Sequence, residues 1–168
     1  MKQKTQTTAL LGLCTAAAMV LSYVESFIPS ITPGLKIGLP NVVIVFVLYR
    51  LGWPAAAAVS LVRVGLTSIL FGNVMSLAYG FAGAVLSLLV MTLLRRAHFF
   101  SVVGVSVAGG VSHNAAQIVV AAAVMRTTQI VYYLPILIIG GTLAGILIGL
   151  AGGMLISRLP ESIIAKWQ

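Results

Sequence analysis

Arg63, His113, Asn114, Gln117 and Asn41 are the side chains here with chemistry to offer, and each lies inside a long apolar stretch. An arginine at the centre of a membrane-spanning helix costs roughly 2.5–3.5 kcal/mol on insertion scales, so such groups pair with one another or line a cavity. His113 and Gln117 are four residues apart and share a helix face, with Asn114 on the adjoining edge. One guanidinium, three amides and an imidazole at similar depth predict a polar pocket. With Lys36 near its mouth, such a pocket suits a ligand bearing a carboxylate or phosphate. Glu25 and Tyr79 fall toward the same side and join the candidate lining. The competing reading is interhelical hydrogen-bond glue. It is strongest for Asn114, and it has a counterpart at Arg63, which Glu25 can neutralise.

The elements that must position these groups are helices in lipid. The chain has 168 residues, 60% of them hydrophobic and only 7% charged, where a soluble domain carries about 25% charged residues. Too few polar residues exist to cover a water-facing surface, and a single all-α integral membrane domain over residues 1–168 is expected. A span needs about 20 apolar residues. Six are predicted, over about 7–28, 36–51, 54–72, 74–94, 100–125 and 132–157. Pro29, Pro33 and Gly34, then Gly52-Trp53-Pro54, Gly72-Asn73, Arg95-Arg96-Ala97-His98 and Arg126 punctuate them. The second segment is the shortest, and Pro40-Asn41 interrupts its outer end, so irregular backbone facing a cavity is one alternative there.

Charge orients the spans. Lys2, Lys4, Arg50, Arg95, Arg96, Arg158 and Lys166 fall on one side, against Lys36 and Arg126 on the other. A bias of this kind marks the first side as cytoplasmic and puts both termini there. The formal charge of +8 is scattered singly between apolar runs, so topology rather than nucleic-acid binding explains it.

Catalytic machinery is not expected. The sequence has no G-x-x-x-x-G-K-[ST] loop for ATP and no Cys/His spacing for a metal. Its only acids, Glu25 and Glu161, fall on opposite sides of the predicted bundle. The prediction is a binding protein, not an enzyme, with no cofactor and no metal. Small residues recur at Gly141, Gly145, Gly149 and Gly153, where intramolecular packing is expected. Ala9, Gly12 and Ala16 form a second stripe, as suited to a partner membrane subunit as to packing.

The run Ser22-Tyr23-Val24-Glu25-Ser26-Phe27-Ile28-Pro29, followed by Pro33-Gly34-Leu35-Lys36-Ile37-Gly38-Leu39-Pro40-Asn41, resembles the Gx transporter family. Many of its members are labelled heptaprenyl diphosphate synthase component I. Arg63 with Phe71-Gly72, and Ser112-His113-Asn114-Ala115-Ala116-Gln117, resemble it too. That family is similar to the substrate-binding S-components of energy-coupling factor (ECF) transporters, bacterial ABC importers. The resemblance implies an S-component-like bundle of six helices in the bacterial cytoplasmic membrane, capturing a micronutrient or small amphipathic ligand from outside. It also implies a coupling membrane subunit and two ATPases as partners, with Ala9, Gly12 and Ala16 docking the coupling subunit and the loop from Pro29 to Lys36 acting as a lid. The synthase label suggests an alternative, a non-catalytic membrane partner of a prenyl diphosphate synthase.

Overall fold

The computed structural model describes residues 2–27 and 38–159; the predicted lid from Pro29 to Lys36, Lys36 itself, Glu161 and Lys166 lie outside them. Six helices follow one another: α1 (Lys2–Ser26), α2 (Asn41–Leu51), α3 (Trp53–Phe71), α4 (Val74–Arg96), α5 (Val102–Met125) and α6 (Leu134–Arg158), with a 3-10 turn at Gln129–Tyr133. Five of these are long and apolar enough to cross a membrane, and α2 is not. The chain is an all-α, multi-pass membrane protein, and large apolar side chains such as Leu13, Ile69, Val119 and Leu147 cover its outer surface.

Local chemistry sets the boundaries. Gly52 takes φ 91°, open to glycine at little cost, and turns the chain sharply from α2 into α3, where Pro54 occupies the first turn. Asn73 and Ser76 form a reciprocal capping box at the start of α4. Ser101 caps α5 by accepting from the Gly104 backbone N–H at 3.1 Å. Arg126, in the left-handed region at φ 49°, closes α5.

The second span departs from the expected 36–51. Gly38 to Pro40 form a turn, and the helix begins at Asn41 with Pro40 as its N-cap. Eleven residues rise only about 16 Å, half the hydrocarbon core. Val43 through Leu48 are buried without interruption, as expected of a helix that is apolar all round and enclosed by neighbours. It contacts α1, α3 and α6, while the remaining helices continue α3–α4–α5–α6 around the bundle.

The glycines of α6 explain the closest contact. A Cβ on Gly145 would stand 2.5 Å from Val107 Cα, and one on Gly149 would stand 2.6 Å from Val103 Cα. Gly141 and Gly110 meet backbone to backbone in the same seam. Gly153 leaves this pattern, with nothing within 4 Å of an added Cβ, and Gly152 packs on Val45 instead.

Arginines close one end of the bundle. The last four carbonyls of a helix lack partners within it. Arg95 of α4 donates to Leu48 O and, at 3.0 Å, to Tyr49 O at the end of α2, and lies over the Tyr49 ring at 5.1 Å. Arg50 of α2 in turn donates to Ile156 O and, at 3.0 Å, to Leu159 O at the end of α6. Topology alone predicted cations here; their use as helix caps is a structural finding. Arg95→Gln is expected to cost about 1.5–3 kcal/mol of stability, the scale of a hydrogen bond to a charged group. Arg95→Lys should recover only part, because an ammonium cannot span both carbonyls as a planar fork does. Thermal denaturation in detergent checks this; an unchanged midpoint would remove the cap from the fold's supports.

Candidate functional site

The end of the bundle away from these arginines gathers the polar groups of α1, α2 and α3. Arg63 lies ten residues into α3 and is only 9% exposed, and Glu25, near the end of α1, is 8% exposed. Ser22 lies three residues before Glu25 and so shares its helix face. Arg63 Nη1 donates to Ser22 Oγ at 3.4 Å, and Glu25 is the charge that acts on the guanidinium. Among the described residues, the buried Arg63 Nε has no hydrogen-bond partner. A buried donor without a partner carries a desolvation cost of about 1–3 kcal/mol.

The turn before α2 completes this cluster. Gly38 N donates to Glu25 Oε1, and Gly38 O accepts from Asn41 N at 2.8 Å. Gly38 holds φ 79°, and a Cβ there would meet Asn41 Nδ2 at 3.0 Å and Ile148 Cδ1 at 3.5 Å. The backbone angle therefore favours glycine, and a side chain here would crowd the Asn41 amide. Arg63 and Glu25 thus meet at the Ser22 face of α1, and Gly38 links the Glu25 carboxylate to the backbone of Asn41 at the start of α2. Neither linking residue was among the candidates. The spacing of Ser22 to Glu25 was a usable signal; nothing in the sequence marked Gly38 as the carboxylate's donor.

The α5 candidates face elsewhere. His113 packs against α4, where a Cβ on Gly83 would come within 2.6 Å of the imidazole. Asn114 is buried and donates through Nδ2 to Leu137 O of α6 at 2.8 Å. Its amide also occupies the space beside Gly141, 2.9 Å from where a Cβ would stand. This is the interhelical bond that the competing reading assigned to it. Gln117 and Tyr79 are half-buried on α5 and α4.

The cluster's chemistry is that of a buried, partly satisfied cation with a carboxylate beside it. An anionic group entering from this end can bond the guanidinium bidentately, and Glu25 can accept from a donor on the same ligand. Among the described residues no group of three or more His, Cys, Asp or Glu could hold a metal ion. Ala9, Gly12 and Ala16 of α1 are all exposed, and nothing lies within 4 Å of a Cβ added at Gly12. That stripe faces out of the bundle.

The sequence model of one protein family, described as heptaprenyl diphosphate synthase component I, matches residues 14–155. No curated protein and no solved structure shows a significant match to the chain.

Proposed function

The chain belongs to the heptaprenyl diphosphate synthase component I family, and we propose that it is the substrate-binding membrane subunit of an ECF-type importer. One observation carries this reading: the buried Arg63 beside Glu25, tied through Gly38 to the start of a half-length helix. A cation at this depth is expensive unless it has work to do, and intramembrane ionisable groups mark substrate paths. The positive-inside bias supports an arginine end and both termini facing the cytoplasm, with the Arg63 cluster toward the outer side of a bacterial cytoplasmic membrane. The ligand is a micronutrient or small amphipathic molecule with an anionic group. Arg63, Glu25 and Asn41 contact it, with His113, Gln117, Asn114, Tyr79 and Lys36 as further candidates. The subunit catalyses no reaction; a coupling membrane protein and two ATPases supply the energy.

The exposed stripe Ala9, Gly12, Ala16 is the docking face, since small residues permit close helix approach in lipid. Gly12→Leu is expected to leave ligand retention unchanged and to block copurification with the coupling protein and ATPases. An intact complex would refute this face.

The family's description favours a second reading, a non-catalytic membrane partner of a prenyl diphosphate synthase. Purification from native membranes in mild detergent, with mass spectrometry of all that is retained, decides between them. A coupling protein, two ATPases and a bound small molecule support the importer. A stoichiometric prenyl synthase with no retained ligand sinks it.

A further inference from the structure

The arginine end holds a concave site separate from the Arg63 cluster. Where α2 turns into α3, Gly52, Trp53 and Pro54 face Thr92, Arg95, Arg96 and His98 from the end of α4 across a cavity of about 280 Å³. Pockets for whole small molecules run from about 300 to 1,000 Å³, so this one has the size of a headgroup. Its ionisable lining is entirely basic. Arg95 is already held by two α2 carbonyls and the Tyr49 ring, which makes it a fixed charge rather than a mobile one. Arg96 is exposed beside it. His98 holds φ 57°, the left-handed turn with which helices commonly end, and its exposed side chain lines the rim.

Two further features point to a phosphate. The first turn of α3 has no side-chain cap and no acidic residue, so no carboxylate on that turn competes with an incoming anion. Trp53, 52% exposed, is the kind of ring that sits at the level of lipid headgroups. Beyond the rim, Leu89 and Val85 continue the Thr92 face of α4 at three and seven residues' distance, both exposed. They offer an apolar track leading directly away from the charges.

We propose that this cavity binds the phosphate group of an anionic amphiphile, with its apolar tail lying along the Thr92–Leu89–Val85 face of α4. Arg96 and Arg95 contact the phosphate oxygens, and His98 closes the rim.

The test uses the full-length protein in detergent micelles and native mass spectrometry. The probes are dioctanoyl phosphatidic acid, dioctanoylglycerol as its phosphate-free counterpart, and inorganic pyrophosphate. Phosphatidic acid should be retained and dioctanoylglycerol should not. Arg96→Gln with His98→Gln should weaken retention on the order of tenfold, the equivalent of one lost charge-assisted contact. Arg126→Gln, a cation removed from the opposite end of the bundle, should leave it unchanged. Both altered side chains are exposed, so the double variant is expected to fold. Competition by pyrophosphate identifies the phosphate alone as sufficient, and retention without competition shows that the tail is needed; either supports the site. Equal retention of dioctanoylglycerol, unchanged retention in the double variant, or an equal loss in Arg126→Gln would overturn it.

Discussion

Arg63→Ala is expected to abolish ligand retention while the protein still inserts in the membrane. A charge-assisted contact contributes about 1.5–3 kcal/mol, so its loss alone weakens binding roughly tenfold to a hundredfold. The substitution also removes the cation beside the buried Glu25, and breaking a buried pair can cost about 3–5 kcal/mol. Two companion variants separate these effects. Arg63→Lys keeps the charge but loses the planar fork, and should fold normally and bind more weakly. Arg63→Ala with Glu25→Gln removes both charges, and should recover stability without recovering binding. The readout is native mass spectrometry of protein purified from its own membranes, beside a thermal melt of each variant. Unchanged retention in the alanine variant would return Arg63 to a structural role.

Gly145→Leu is expected to prevent the folded bundle from accumulating. Even alanine at this position places a Cβ 2.5 Å from Val107 Cα and 3.0 Å from Ser106 O. The obstacle is backbone rather than a movable side chain, so α5 and α6 must separate along their length. Overpacking costs typically about 1–3 kcal/mol and occasionally more. Gly145→Ala should sit at the upper end of that range and leucine beyond it. Gly153→Ala supplies the control, since it lies on the same helix with nothing within 4 Å of the added carbon, and it should stay within about 0.5 kcal/mol of the parent. Equal melting of the Gly145 and Gly153 alanine variants would mean that the α5–α6 seam yields far more easily than its geometry implies.

The long helices were legible because apolar runs of span length stand between glycines, prolines and charges. The start of α2 was not. Hydropathy continues from Lys36 into Val42, while the backbone is turned at Gly38 by a positive φ and by a carboxylate thirteen residues earlier. A window of composition carries no trace of either. The depth of Arg63 was legible from its place in the third run, and its neighbour Glu25 was named as its candidate counter-charge. The α5 residues show where spacing arguments stop. His113 and Asn114 are adjacent in sequence, and consecutive helix residues point about 100° apart. One faces α4 and the other α6. Similar depth did not mean a common direction. The small-residue stripes were equally visible in α1 and α6, but only the positions of neighbouring backbones separate a packed seam from an open face.

The tying of α2 at both ends has a consequence for biogenesis. A half-length segment with unfilled terminal carbonyls cannot remain in hydrocarbon alone, where every backbone polar group needs an internal partner. Two of those partners come from Arg95, synthesised forty-four residues after Leu51 closes the helix. The order of synthesis and the order of capping therefore differ: the α2 carbonyls reach their final partners only once Arg95 of α4 exists. A short hydrophobic segment in this chain thus receives its last backbone partners from a helix made after it.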